Sequence, residues 1–179
     1  DQLVQTKASI TAIEVDSDLS RILTEHYSNI PTFKLHNSDI MNFDLGILRE
    51  QSTGWKIIGN LPYNIATPLI MNLVALRSFW SEMTFMLQKE VALRLTAKAG
   101  TRSYGRLSIM AQRQANISYK FEVNAASFSP QPKVESAIVQ FRPLDNRKNP
   151  EIDASFEKVV RLAFSTRRKT LSNSLKSLI

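Results

Sequence analysis

Cysteine is absent from the 179 residues, and histidine occurs only at His26 and His36. The chain therefore has no disulfide, thiolate metal site or cysteine nucleophile. Because no His-Glu-x-x-His spacing occurs either, we predict no metal site. The longest apolar run, 69–76, is interrupted by Asn72 and is far shorter than the roughly 18 residues of a membrane span. No signal peptide is visible, so we expect a cytoplasmic protein that does not bind membranes.

Glycine and proline are also scarce, with five and seven residues, while 43% of the residues are hydrophobic and 22% are charged. This composition is typical of a globular chain and excludes a fibrous or linker-like one. Charge is distributed unevenly. Residues 1–88 contain 6 basic and 9 acidic side chains, whereas residues 89–179 contain 17 basic and 7 acidic ones. A cationic half of this kind favours a polyanionic partner such as nucleic acid, although a solvated basic surface gives the same count.

Short segments rich in β-branched and aromatic residues alternate with segments of helical periodicity. The strand-like segments are 9–15, 32–36, 55–59, 83–87, 116–123 and 134–141. The predicted helices include one that begins after the capping residue Ser17, and further ones at 67–79, 89–97 and 106–112. This alternation predicts an α/β fold with a largely parallel sheet.

The chain changes character after Pro143. Residues 144–150 are polar and end in a proline, which is typical of a linker. Beyond them, Asp153 is predicted to cap a helix, and a second short helix is predicted at 170–178. We therefore predict a domain over 1–145 and the beginning of a helical domain over 146–179.

Polar residues follow three of the predicted strands, where ligands bind in open parallel sheets. Glu14 could accept hydrogen bonds from both hydroxyls of a ribose, and Asp39 could accept one from an adenine amino group. Either carboxylate also suits a turn or a helix cap.

The third signal is the turn Asn60-Leu61-Pro62-Tyr63. Pro62 fixes its own φ and forces Leu61 into an extended conformation, so the Leu61 carbonyl can be held rigidly. Asn60 adds a side-chain oxygen and Tyr63 an aromatic face. Two acceptors and a stacking plane suit the exocyclic amine of a flat base, although a proline loop with a buried tyrosine would have the same sequence.

A second rigid aromatic segment runs from Phe128 to Lys133 and contains two prolines. Phe128 could supply a second stacking face and Lys133 could contact phosphate, or the segment could be a hydrophobic plug before a strand.

Several other basic residues could hold a nucleic acid. Arg167, Arg168 and Lys169 are adjacent cations whose mutual repulsion bound phosphates would relieve, although a solvated turn is equally consistent. Arg102, Arg106 and Arg113 could extend this basic surface.

These segments together resemble the ribosomal RNA adenine dimethyltransferase family. The resemblance covers nearly the whole chain, in order, and is carried by NLPYNIATPL at 60–69, LQKEVA at 87–92, SYGRLS at 103–108, FSPQPKVESA at 128–137, RRKTL at 167–171 and NSL at 173–175. The chain is most similar to the small-subunit members, which use S-adenosylmethionine to dimethylate two adjacent adenosines near the 3′ end of 16S rRNA.

The resemblance implies a Rossmann-like methyltransferase sheet at 1–145 and the start of a helical rRNA-binding domain at 146–179. It implies that Glu14 binds the ribose of S-adenosylmethionine, while Asp39 and Ile40 contact its adenine.

For the substrate, the resemblance implies that Asn60 and the Leu61 carbonyl bind the target amine beside the donor. Tyr63 and Phe128 would stack on the flipped base, Pro62 would keep the turn rigid, and the late basic segment would hold the rRNA. The implied substrate is 16S rRNA in the 30S subunit or its precursor, and the enzyme is expected to act as a monomer without a metal.

The chain departs from the family pattern in one respect. The family has a glycine-rich loop after its first strand, whereas no Gly-x-Gly occurs here. We therefore expect that the first strand, this loop and the rest of the helical domain are missing from the 179 residues. We also expect these residues alone to bind the donor poorly and to be inactive.

Three other interpretations stay open. A large-subunit 23S rRNA adenine dimethylase would share the 60–63 turn and the Phe128 segment, but 104–108 and 167–170 favour the small-subunit type. A non-catalytic RNA-binding assembly factor would not need the intact turn. A DNA adenine methyltransferase would more often carry Asp-Pro-Pro-Tyr there.

Overall fold

The structure of the protein is a computed structural model that describes residues 2–52, 54–144, 150–165 and 170–178. Two compact units divide the chain, an N-terminal unit over Asp1–Gln51 and a C-terminal unit over Ser52–Ile179. The predicted domain boundary at 145/146 lies outside the described residues, so it stays a prediction.

The N-terminal unit is built on one pair of parallel strands. Its elements are α1 (Gln2–Gln5), β1 (Ile10–Glu14), α2 (Ser17–Tyr27), β2 (Phe33–Asn37) and α3 (Gly46–Gln51). In the β1–β2 register, Glu14 lies opposite Asn37. The predicted cap at Ser17 is wrong by one residue. Asp16 has the extended backbone of a cap, and its carboxylate accepts the N–H groups of Asp18 and Leu19.

The C-terminal unit contains a four-stranded sheet in the order β3-β4-β6-β5. Its elements are β3 (Trp55–Asn60), α4 (Ala66–Ala75), β4 (Trp80–Gln88), α5 (Lys89–Leu95), α6 (Arg106–Gln112), β5 (Ala115–Val123), β6 (Ser136–Pro143), α7 (Pro150–Ala163) and α8 (Leu171–Leu175), with short 3-10 turns at Ala125–Ser127 and Lys176–Leu178.

The strand directions correct one expectation. β3 and β4 are parallel, but β6 is antiparallel to both β4 and β5. The cause is the connection between β5 and β6, which contains no crossover helix, and chains that return without such a helix form antiparallel pairs. The fold is therefore the expected α/β class with a Rossmann-like sheet, but that sheet is only partly parallel.

The core of the C-terminal unit is formed by β4 and the helix before it. Alternate residues of β4 are buried, because successive side chains of a strand point to opposite faces. Trp80 is buried at the start of β4, ahead of this alternation; it pairs in register with Trp55 and donates its indole N–H to the Leu73 carbonyl at 2.7 Å. These contacts explain why β4 begins three residues before the predicted strand.

One predicted helix, α7, begins at a different residue. α7 begins at Pro150 rather than after Asp153, since proline is well suited to a first helical turn, where its missing N–H has no partner to lose. α3 was not predicted. Within the described ranges, no helix combines the length and apolar composition required to traverse a bilayer.

Candidate active site

The turn at Asn60–Tyr63 connects β3 to α4 and is held at both ends. Leu61 donates its N–H to the Met86 carbonyl on β4 at 3.3 Å, which continues the strand pairing one residue past β3. The Pro62 carbonyl accepts the N–H of Ala66, the first residue of α4, at 3.1 Å. The backbone of the turn is therefore fixed between the sheet and the helix.

Two oxygen acceptors of this turn remain available. The Asn60 side chain is exposed, and neither its amide nor the Leu61 carbonyl forms a hydrogen bond with any other described residue. The Leu61 side chain, in contrast, is buried. It packs so closely on Gly59 that a Cβ there would lie 3.0 Å from the Leu61 Cδ2 atom. Burying this side chain anchors the turn and leaves its carbonyl free.

The Phe128 segment lies beside the turn. The two segments line a cavity of about 270 Å³. The lining residues are Asn60, Leu61, Pro62, Tyr63, Phe128, Pro130 and Pro132. This volume is close to the lower end of the roughly 300–1,000 Å³ range of small-molecule pockets, which suits one planar base better than a larger ligand.

A hydrogen bond orients the aromatic residue of the turn. The Tyr63 hydroxyl lies 3.2 Å from the Ser136 hydroxyl, which is buried at the start of β6. Tyr63 itself is 39% exposed, so its ring is tethered at one end while part of its surface remains open to a ligand.

At the two ends of the loop that carries Phe128, residues 124–135, Lys89 bridges two carboxylates. Its Nζ atom lies 2.8 Å from Glu122 Oε2 and 2.7 Å from Glu135 Oε2. The hydrogen bonds to Glu122 and Glu135 raise the pKa of Lys89, and the hydrogen bond from Lys89 lowers the pKa of Glu122. Burial raises the pKa of the nearby Tyr119 hydroxyl. We call the group formed by Lys89, Glu122 and Glu135 the Lys89 bridge.

The predicted donor-binding carboxylates belong to the N-terminal unit. Glu14 is the last residue of β1, and its Oε1 atom accepts the N–H of Asp16 at 2.9 Å. Its Oε2 atom accepts no hydrogen bond from the described residues. Asp39 follows β2, accepts the N–H of Met41 through Oδ1 at 2.9 Å, and accepts the Asn42 amide through Oδ2 at 3.1 Å.

Both carboxylates fit the chemistry expected of them. Glu14 can accept ribose hydroxyls through its remaining oxygen, and each Asp39 oxygen keeps a second lone pair for an amino group. Ile40 directly follows Asp39 and is half-buried. The roles of the three residues stay predictions.

The predicted RNA-binding residues differ in what they contact. Lys133 and Arg102 are exposed, whereas Arg106 forms a 3.0 Å ion pair with Glu157 on α7.

The remaining predicted RNA-binding residues are Arg113 and the segment 167–169. The Arg113 guanidinium lies 4.1 Å from the centre of the Phe156 ring, so, like Arg106, it contacts α7. Arg167, Arg168 and Lys169 lie outside the described residues.

Three features of the site were missed by the sequence analysis. They are the Tyr63–Ser136 hydrogen bond, the Lys89 bridge, and Asn37, whose side chain donates to the Glu14 carbonyl at 2.8 Å. The sequence did contain a signal for three of these residues. The motifs that carry the family resemblance include Lys89, Glu135 and Ser136. Over the described ranges, no group of three or more His, Asp or Glu side chains could hold a metal ion.

Comparison with known proteins gives a consistent result. The family model described as ribosomal RNA adenine dimethylase matches residues 1–179. The chain is 44% identical over 178 residues to ribosomal RNA small subunit methyltransferase A of Pseudomonas savastanoi and 43% identical over 181 residues to the protein of the same name from Hydrogenovibrio crunogenus. These matches cover 99% of the chain and 66% and 68% of the two relatives, so the chain spans about two thirds of their length.

Solved structures show the same fold. A dimethyladenosine transferase from Plasmodium falciparum matches with a TM-score of 0.79 and 27% identity, over 97% of this chain and 62% of that one. The 23S rRNA methyltransferase ErmE matches with a TM-score of 0.74 and 24% identity, over 93% and 66% of the two chains.

Proposed function

Because the chain belongs to the ribosomal RNA adenine dimethylase family, we propose that it dimethylates the exocyclic amines of two adjacent adenosines near the 3′ end of 16S rRNA, with S-adenosylmethionine as the methyl donor. The substrate is the 30S subunit or its precursor, and the enzyme acts as a cytoplasmic monomer. The names of the two bacterial relatives support the choice of the small-subunit substrate.

The observation that carries this proposal is the pairing of two available oxygens with two aromatic rings around one small cavity. Asn60 and the Leu61 carbonyl have no hydrogen-bond partner among the described residues, and Tyr63 and Phe128 line the same cavity. An extruded adenine offers the complementary groups, namely an amine with two N–H donors and a flat ring. Extruding the base requires unstacking it, and contact with aromatic rings offsets about 1–3 kcal/mol per stacked base.

The two oxygens also suit the reaction. An adenine amine is a poor nucleophile because its lone pair is delocalised into the ring. Accepting both N–H hydrogens on Asn60 and Leu61 holds the nitrogen closer to tetrahedral and directs its lone pair out of the ring plane. S-adenosylmethionine, when bound, supplies a methyl group on a sulfonium that such a lone pair can attack. Positioning then provides most of the catalysis, with no covalent enzyme intermediate.

The same geometry accounts for release of the product. Each transfer replaces one N–H by N–CH₃ and liberates one proton. After the second transfer the amine has no N–H, so neither Asn60 nor the Leu61 carbonyl retains a hydrogen bond to it. The dimethylated base is therefore held less tightly than the substrate.

The donor and the RNA are assigned to other parts of the chain. We assign the ribose to Glu14, the donor adenine to Asp39 and Ile40, and a further donor contact to Asn60. For the RNA, Lys133 and Arg102 are exposed, and the segment 167–169 adds three cations. A basic surface of this kind neutralises phosphates.

The proposal can be tested with a chimera in which the 179 residues replace the matched segment of the Pseudomonas savastanoi relative. We expect this chimera to transfer labelled methyl groups to 30S particles that lack the modification. Mass spectrometry should then find dimethyladenosine at two adjacent positions. Asn60→Ala should lower kcat by about 10²–10³, as loss of one preorganised hydrogen-bond partner does in other enzymes, without weakening 30S binding.

The matched control is Asn72→Ala, which removes an exposed asparagine of α4 and should leave transfer unchanged. Methylation of free 23S rRNA but not of 30S particles would contradict the choice of substrate. A folded chimera that binds 30S particles and transfers no methyl group at saturating donor would contradict the proposed activity itself.

A further inference from the structure

The loop over residues 124–135 connects β5 to β6 and contributes three of the cavity-lining residues, Phe128, Pro130 and Pro132. Near its start lies Glu122, the second-last residue of β5, and at its end lies Glu135. The position of the Phe128 ring therefore depends on how the two ends of this loop are held.

One side chain holds both ends. Lys89 is the first residue of α5, directly after the core strand β4. Its ammonium contacts Glu122 at 2.8 Å and Glu135 at 2.7 Å, and its backbone N–H also donates to the Glu135 carbonyl at 2.9 Å. The start and the end of the loop are thus tied to the same point at the end of β4.

We propose that Lys89 is a positioning residue, which fixes Phe128 against the target base by bridging Glu122 and Glu135. This inference rests on the proposed function, because it concerns the same cavity. Lys89 does not itself line the cavity, so it acts through the loop.

The pairing also excludes the simpler role of an RNA contact. Two of the three hydrogens of an ammonium are directed at Glu122 and Glu135, and the two carboxylates more than neutralise its charge. A phosphate would find a net negative cluster here. A role in stability alone is also insufficient, because the Lys89 side chain is 32% exposed and the carboxylates are about half exposed, and ion pairs of this exposure contribute little to stability.

The sheet supplies a matched control at its other end. Arg142 on β6 forms a 3.2 Å ion pair with Glu82 on β4. This pair joins β6 to β4, but it lies at the end of β4 remote from the loop. Breaking it removes one cation and one ion pair without releasing residues 124–135.

The first measurement is amide hydrogen exchange in the 179-residue chain without RNA or donor. Lys89→Met should accelerate exchange in residues 124–135, whereas Arg142→Met should not. The melting temperatures of the two variants should be similar. Acceleration spread over the whole C-terminal unit, or none in 124–135, would overturn the proposal even if methyl transfer occurs as proposed.

The second measurement is methyl transfer in the chimera. Lys89→Met should lower kcat about tenfold, as modest misplacement of a reacting group does, with little change in the KM for 30S particles. Lys89→Arg, which keeps the charge and can still reach both carboxylates, should recover most of this loss. A variant with Glu122→Gln and Glu135→Gln should reproduce the loss, and adding Lys89→Met to it should have no further effect.

Additive effects of these substitutions, or a change in KM alone, would show that Lys89 acts on something other than the loop. If the unsubstituted chimera transfers no methyl group, the proposed function fails, and the exchange measurement still decides whether Lys89 holds the loop.

Discussion

The two units of the molecule hold their functional residues in different ways. In the C-terminal unit, the turn at 60–63 extends from a sheet whose central strand, β4, has alternate side chains fully buried. Among the described residues of the N-terminal unit, only Ser20 and Leu48 are buried, and every residue of β1 is half-exposed. The groups proposed to bind the base are thus supported by a packed core, whereas Glu14 and Asp39 are oriented by hydrogen bonds within their own turns.

This difference suggests a division of tasks. Aligning an amine for attack tolerates little movement, because small displacements strongly reduce the rate, and the proposed function assigns that alignment to the packed unit. Hydrogen bonds to hydroxyls and amines of a flexible ligand tolerate more adjustment, and the proposed function assigns those to the less packed unit. Four substitutions or conditions test this contrast.

The largest effect is expected for core stability. Phe85→Ala should destabilise the C-terminal unit by about 3–5 kcal/mol, since Phe85 is fully buried. Ile13→Ala on the half-exposed β1 should cost less, below about 2 kcal/mol. Urea unfolding followed by circular dichroism measures both values. Tryptophan fluorescence gives a second value for Phe85→Ala because both tryptophans, Trp55 and Trp80, lie in that unit. Equal losses of unfolding free energy in Phe85→Ala and Ile13→Ala would contradict the difference in packing between the two units.

The next effect concerns the donor. Glu14→Gln should weaken binding of S-adenosylmethionine to the chimera by about ten- to a hundredfold, because hydrogen bonds to charged groups contribute about 1.5–3 kcal/mol. Isothermal titration calorimetry measures this affinity. Glu25→Gln, on an exposed position of α2, is the control and should leave affinity unchanged. Unaltered binding by Glu14→Gln would show that another residue holds the ribose.

A comparable or smaller effect on activity is expected for Phe128, the residue proposed to stack on the target base. Phe128→Ala removes a ring worth about 1–3 kcal/mol per base, so kcat/KM on 30S particles should fall by about five- to a hundredfold. Phe121→Ala is the matched control, because Phe121 is 60% exposed on β5 and does not line the cavity. If both variants lose the same activity, the cavity is not the site that receives the base.

The smallest effect is a dependence on pH. Lys89 lowers the pKa of Glu122 from its ordinary value of 4.5, so this carboxylate stabilises the folded state above that value and loses its contribution as the pH falls through the lowered pKa. Glu122→Gln should therefore be less stable than the unsubstituted chain at neutral pH. The difference should shrink below pH 4.5, as urea unfolding at several pH values can measure. If the difference in free energy of unfolding between the two chains grows as the pH falls, the ionised Glu122 carboxylate does not stabilise the folded state.

The sequence predicted the parts of the site that depend on local chain geometry. Pro62 was sufficient to predict the turn after β3, and the two prolines near Phe128 predicted a second loop, which lines the same cavity. The antiparallel direction of β6 could not be predicted, because a buried strand shows the same apolar pattern in either direction. Tyr63 and Ser136 are 73 residues apart, and such a pairing depends on the order of strands in the sheet.

The basic residues also show that contacts set by packing cannot be predicted from the sequence. Counting charge in 89–179 favoured nucleic-acid binding, but it could not distinguish an exposed cation such as Lys133 from Arg106, which pairs with Glu157, or Arg113, which stacks on Phe156. Charge patterns report the net field of a region, whereas the partner of each side chain is set by packing.

The hydrogen bond from Tyr63 to Ser136 has a consequence for how the preference for a nucleobase could change. Ser136 and Phe128 belong to one short continuous segment, so the gap between the two rings depends on the number of residues between 128 and 136. Insertion or deletion of a residue there would widen or narrow the gap between the Tyr63 and Phe128 rings while the turn at 60–63 stayed intact. Under the proposed function, the size of the accepted base and the chemistry performed on it are therefore encoded in separate stretches of the chain and can vary independently.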